Sequence, residues 1–270
     1  MQTGIVMVTR DRRDTVLRAL AQVPEGVRVC LVDNGSQDGT AAAVRAAFPA
    51  VDVVVAARNL GAAGRTVGAQ RLATPVVAFA DDDSWWAPGA LERAAARFAA
   101  EPDLGLLAAR VLVGAEERLD PVCAALRDAP AVLGFVACGA VVRREAFLAV
   151  GGFDERYGVG GEEQRLALDL AAAGWRLAYD DAVVAHHHPA GGGRPDRPWR
   201  ALRNDLWSAW LRRPLPAAVR RTVRLVRSAP PPVAARAVAH ALRGVPWVLR
   251  ERRVLPRRVE ADLLRVEQGA

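Results

Sequence analysis

Three consecutive carboxylates, Asp81-Asp82-Asp83, close an apolar run that begins at Val76. Carboxylates this close repel one another, and burying them together needs a counter-charge. A hard divalent cation with oxygen ligands, bridged to a phosphorylated ligand, would supply it. The plain alternative is a solvated acidic turn, with Ser84 capping the next helix and Pro88 in its first turn. A second acidic pair, Glu162-Glu163, follows the glycine-rich stretch Gly158-Val159-Gly160-Gly161. The helix macrodipole alone favours two carboxylates in a first turn. At a cleft, one of them would also be a general base toward a hydroxyl, with the glycines as a hinge closing it over a ligand. His186 ends a strand-like stretch and alternates with Ala182 and Val184, while His187 points the other way. Facing an aspartate cluster, the neutral ring of His186 would ligate a metal; elsewhere it would be structural.

Two further side chains are suited to a nucleotide. Asp33 ends a second apolar run, Val27 to Val32, and could accept from a ribose hydroxyl or a base N–H, or else hold an Asx turn with the glycine that follows. Arg65 opens a helix and would pair a phosphate or nucleobase there; on the surface it would be merely solvated. No G-x-G-x-x-G follows the first strand, where Thr9-Arg10-Asp11 stands, which argues against dinucleotide binding. All 37 basic residues are Arg, and without Lys the chain has no P-loop lysine, Schiff-base lysine or kinase lysine.

The elements that must carry these groups alternate. Strands are expected at 4–9, 27–32, 51–56 and 76–80, with helices after each, which predicts an α/β fold with a mainly parallel sheet flanked by helices. In such a sheet, ligands sit at the carboxyl ends of the strands, where Asp33 and Asp81 to Asp83 lie. A helix from Pro88 to Ala100 and a strand from Leu104 to Val113 come next, then a less regular stretch from 114 to 130. Strand-like segments follow at Phe135–Val142, Trp175–Tyr179 and Ala182–His186. Gly139 would allow close backbone approach.

The chain has 270 residues and is 51% hydrophobic, enough for one large α/β domain with an appendage. No signal-peptide pattern opens it and no apolar run approaches the ~20 residues of a bilayer span, so a cytoplasmic protein is expected. Cys30, Cys123 and Cys138 are widely spaced and flanked by apolar residues, which suits reduced thiols. Charge is uneven: from Arg194 to the end, 18 Arg face 6 acids, whereas the rest of the chain is net acidic. Within this tail, Val219, Val223 and Val226 are spaced for one helix face between arginines. That pattern would lie on an anionic membrane at the inner face of the cell, or pack its apolar side on the main domain. Nucleic acid is not the expected partner, because aromatic interleaving is limited.

Taken in order, the segments Val8–Arg12, Val32–Thr40, Asn59–Arg65, Phe79–Asp83, Gly139–Arg143, Val150–Glu155, Gly161–Glu163 and Ala182–His186 resemble the family 2 glycosyltransferases. The resemblance covers about residues 1–190 and implies a GT-A fold and an inverting transfer. It implies domains at 1–190 (nucleotide half about 1–113, acceptor half about 114–190) and a helical extension at 191–270. It implies a nucleotide-sugar donor contacted by Thr9, Arg10, Asp33, Arg65, Asp81 and Asp82, and Mn²⁺ or Mg²⁺ on Asp83 and His186. The base would be Glu163, or Glu162, since the usual dipeptide is Glu-Asp and this chain has Glu-Glu. Trp85, Trp86 and Gly139 are expected to face the acceptor, a glycan, a lipid-linked sugar or a small molecule. Such enzymes build cell-envelope polysaccharide, glycolipid or glycosylated natural products. The Glu-Glu departure also fits a non-catalytic relative that binds a membrane or polyanion through its basic tail.

Overall fold

The computed structural model describes residues 1–189 and 196–269; the glycine run 191–193 and the expected boundary at 190/191 lie outside the described residues. The first strand, β1 (Thr3–Thr9), is buried on both faces, as its unbroken apolar run requires. It is followed by α1 (Arg13–Leu20), β2 (Arg28–Asp33), α2 (Thr40–Ala47), β3 (Asp52–Val55), a 3₁₀ turn at Gly61–Ala63, α3 (Gly64–Arg71) and β4 (Val76–Asp81). β2 and β4 both pair with β1 in parallel, and β3 pairs with β2. The chain therefore reverses direction across the sheet between β1 and β4, where an open α/β sheet leaves its crevice. Thr9 ends β1, and Asp81 on β4 is paired with Val8 beside it.

The second half adds β5 (Ser84–Trp86), α4 (Ala90–Ala100), β6 (Leu104–Val113), β7 (Arg118–Leu119), α5 (Pro121–Arg127), β8 (Ala140–Arg143), α6 (Arg144–Ala149), α7 (Glu162–Ala172) and β9 (Arg176–His187). The sheet order is β3-β2-β1-β4-β8-β6-β9-β5, with β7 on β6. β8 runs antiparallel to β4 and β6, so the sheet is mixed. The two segments expected at Trp175–Tyr179 and Ala182–His186 form one strand, β9, whose register against β6 slips between Ala109 and Arg110. That bulge absorbs the polar Asp180-Asp181 that interrupts the apolar pattern. β5 is a strand rather than a helix cap: Ser84, Trp85 and Trp86 pair with His187, His186 and Ala185.

The tail folds as α8 (Arg197–Arg212), α9 (Leu215–Ser228), α10 (Pro231–Arg243), α11 (Val245–Arg250) and α12 (Arg257–Gly269). α8 buries Leu202, Leu206, Trp207 and Leu211, and Tyr157 of the main domain packs in the same cluster as Trp207. α12 places Val259 and Leu263 against Leu168 of α7. Among the described residues, no helix is long and apolar enough to cross a membrane.

Candidate active site

The three aspartates diverge as β4 ends. Asp81 pairs with the buried guanidinium of Arg65, in a contact between its Oδ1 and Arg65 Nη2. Arg65 comes from the first turn of α3, and its Nε has no acceptor among the described residues. Asp82 accepts from the Thr9 hydroxyl at 2.9 Å and from Arg12 at 3.1 Å. Burial lifts the Asp82 carboxyl to about 6 against the pull of Thr9 and Arg12. Asp83 accepts from Arg12 Nη1 at 2.8 Å and lies 3.3 Å from Nε2 of His187. Burial works to raise Asp83, but His187 and Arg12 more than offset it and hold the carboxyl below its ordinary range.

The counter-charge that the sequence demands is thus supplied in part by two arginines. Arg12 is one that sequence reasoning missed. Its signal was its place, two residues beyond Arg10 at the mouth of α1, while Arg10 is exposed and pairs only with Asp11. The structure places His187, rather than the His186 expected as a metal ligand, beside Asp83. The pairing of β5 with β9 sets Ser84 opposite His187 and Trp85 opposite His186. His186 stacks on Trp85 and meets Glu117 at 3.3 Å, so the pleat turns the next histidine toward Asp83.

Candidate donors for a divalent ion are Asp81 and His187, with Asp83 beside His187. Single ligand atoms of Asp81, Cys138 and His187 lie within 4.8 Å of one another. Burial pushes the Cys138 thiol up, while Asp81 and His187 offer oxygen and imidazole beside it. That set suits Mn²⁺ or Mg²⁺ better than a thiophilic metal.

Across from the aspartates, α7 starts at Glu162 behind Gly161, whose φ of 82° only glycine adopts without strain. Glu162 is 4% exposed and accepts from the Gly160 N–H, while Glu163 is half-buried. Burial raises both carboxyls, the charge of Glu163 raises Glu162 further, and Arg65 draws both down. The charge of Asp81 is also felt at Glu163. Arg65 thus pairs with Asp81 and draws electrostatically on both glutamates.

The glycine stretch is fixed rather than hinged. Asn204 of α8, fully buried, donates to the carbonyls of Tyr157, at 2.9 Å, and Gly160. Arg203 donates to the carbonyls of Arg156 at 3.2 Å and Tyr157 at 3.0 Å. From the donor side, Ala62 N–H reaches the Gly158 carbonyl at 2.9 Å. Beyond the site, Asp33 is buried and its Oδ1 accepts from Ser36 N–H at 2.7 Å, closing the Asx turn. Trp85 is half-buried beside His186 and His188. Trp86 is buried in the core and Gly139 lies under Val111, where a Cβ would come within 2.2 Å of Cγ2. The structure therefore sets the Trp86 side chain in the core and packs the Gly139 backbone against Val111.

The profile of the family described as glycosyl transferase family 2 matches residues 4–150. The chain belongs to that family. As a family 2 glycosyltransferase it is similar to the N-acetylglucosaminyl-diphospho-decaprenol L-rhamnosyltransferase of Mycobacterium tuberculosis, at 29% identity over 247 residues, covering 70% of this chain and 78% of that protein. An uncharacterized glycosyltransferase of Mycobacterium bovis is 30% identical over 197 residues, covering 70% of this chain and 87% of the relative. Among solved structures, the mannosyltransferase PcManGT of Pyrobaculum calidifontis, in complex with GDP-Man and Mn²⁺, superposes with a TM-score of 0.60 at 19% identity. That match covers 99% of this chain and 86% of the other, and it shows the GT-A fold.

Proposed function

We propose that this glycosyltransferase moves a sugar from a nucleoside-diphosphate donor to an acceptor hydroxyl by a single inverting displacement. The observation that supports the reading is the buried Arg65, which pairs with Asp81 at the end of β4 and is felt electrostatically by Glu162 and Glu163 at the start of α7. The donor's nucleotide would lie over the β1–β4 crevice, against Thr9, Asp33 and Asp81, with the unpaired Nε of Arg65 free for the base or diphosphate. A divalent ion held by Asp81, Asp83 and His187 would supply positive charge where the leaving diphosphate gathers its negative charge.

Glu163 is the base in this reading. Glu162 is engaged by the Gly160 N–H through one oxygen, whereas Glu163 keeps some exposure to solvent, which favours Glu163 as the one that meets an incoming alcohol. It takes the hydroxyl proton as oxygen bonds to the anomeric carbon, and the bond to the diphosphate breaks with its electron pair leaving on phosphate. Attack from the face opposite the leaving group inverts the centre, and one carboxylate suffices.

The similarity to a rhamnosyltransferase named for a decaprenol-linked acceptor favours a lipid-linked acceptor and a role in cell-envelope assembly. Such a reaction would run at the cytoplasmic face of the membrane. Incubation with nucleotide sugars, with and without Mn²⁺, tests the reading. Metal-dependent release of nucleoside diphosphate from one of them is expected, and no turnover of any of them, with bound donor demonstrated, would overturn it.

A further inference from the structure

The basic tail does not spend its apolar face on the main domain. α9 turns Ala217 and Ala218 inward, and Trp210 of α8 donates to Thr222 at 3.0 Å. Leu225 and Val226 pack beside them against the Trp199 cluster. The other side is open: Leu215 is 58% exposed, Val219 48% and Val223 43%. Val226 shares the face of Val219 and Val223 but lies at its edge, partly covered by the Trp199 cluster. Of the ten large apolar side chains that are exposed among the described residues, seven fall between 215 and 254, so the patch belongs to the tail. Leu242, Val245 and Leu249 on α10 and α11 are exposed as well.

Arginines flank these valines. Arg220, Arg224 and Arg227 are exposed, and none lies within ion-pair distance of a carboxylate among the described residues, whereas Arg221 on the inner side reaches Glu267 at 3.5 Å. Apolar side chains set among unpaired cations match an interfacial helix, with valines at the acyl boundary and guanidinium groups at the headgroups. A second copy of this chain fits poorly, since like charges would meet across the contact. Nucleic acid would engage the arginines and leave the valines wet.

We infer that the outer face of α9, Leu215, Val219 and Val223 flanked by Arg220, Arg224 and Arg227, docks the enzyme on an anionic lipid bilayer. The inference deepens the reading above, on which it rests only for the use to which the contact is put. Each arginine near an anionic surface contributes about 1 kcal/mol, so replacing three should weaken binding on the order of a hundredfold.

The test is flotation of the full chain with phosphatidylcholine vesicles, with and without phosphatidylglycerol. The wild-type protein is expected on the anionic vesicles and not on the neutral ones. Arg220→Gln/Arg224→Gln/Arg227→Gln and, separately, Val219→Asp/Val223→Asp should each remove it, with unchanged circular dichroism and unchanged nucleotide-sugar turnover in solution. Wild-type protein that ignores anionic vesicles, or variants that bind them as tightly as the wild type, would overturn the inference. So would loss in the arginine variant alone with equal binding to DNA, which would mark a general polyanion surface. Vesicle binding without any turnover would leave this surface standing and defeat only the catalytic reading.

Discussion

His187 meets Asp83 at 3.3 Å through Nε2, while His186, one residue earlier on the same strand, turns to Glu117. This division of labour follows from the pairing of β5 with β9 and decides which histidine can share an ion with the aspartates. His187→Ala is expected to weaken Mn²⁺ binding at least about tenfold, the scale on which even outer partners of a metal site act. His186→Ala should leave it within twofold of wild type, by about the error of a titration. Mn²⁺ titration followed by electron paramagnetic resonance distinguishes them, and equal losses in both variants would contradict the assignment.

Arg65 is buried, pairs with Asp81 and carries an Nε without an acceptor. A charge-assisted contact to the donor there is worth about 2 kcal/mol, or roughly thirtyfold in affinity. Arg65→Ala should lose that much nucleotide affinity by calorimetry. Arg65→Lys should not restore it, because an ammonium cannot reach Asp81 and the ligand together as the planar fork does.

The carboxyls of Glu162 and Glu163 are both raised by burial, and repulsion between them raises Glu162 further. A base works deprotonated, so the rate should climb with pH through a limb above the ordinary glutamate value of about 4.3. Repulsion from Glu163 falls on Glu162, so Glu163 loses its proton first, beside a protonated Glu162; Glu162→Gln mimics that neutral neighbour and should leave the limb of kcat in place. Stability is affected all the same. The folded state holds the pair's protons more tightly, so its contribution is present at low pH and lost as pH rises through the raised titration. The variant should therefore gain in Tm over wild type on the alkaline side.

Asn204 reaches from the tail into the main domain to hold the Tyr157 and Gly160 carbonyls. Asn204→Ala would strip the Gly160 carbonyl of its partner in a buried place and leave Tyr157 to Arg203 alone, at about 2 kcal/mol of stability. It would also loosen the loop that aims the glutamates, and misplacement on the order of an ångström costs up to about a hundredfold in rate. The expected outcome is a fall in kcat with donor affinity unchanged, measured beside the Tm.

Much of this was legible in the sequence. The alternation of apolar runs with helices named the sheet and its crevice, and the acidic cluster and glutamate pair, 79 positions apart between Asp83 and Glu162, both lie within the electrostatic reach of Arg65. What escaped reading depends on pairing partners that lie far away in the chain. The choice between His186 and His187 rests on strand register, Arg12 is distinguished from Arg10 only by how α1 begins, and the burial of Trp86 and Gly139 is set by packing on β9 and β6. The glycine stretch looked like a hinge because its restraint comes from Asn204, in a helix whose role its own composition did not announce.

The central claim is that Glu163 takes the acceptor proton while the aspartates of β4 hold the donor side. Glu163→Gln, assayed for transfer from the accepted nucleotide sugar and for donor affinity by calorimetry, tests it most directly. Transfer should fall by about 10² to 10⁴, the worth of a general base, with donor and Mn²⁺ affinities kept. Wild-type transfer in this variant would contradict the account.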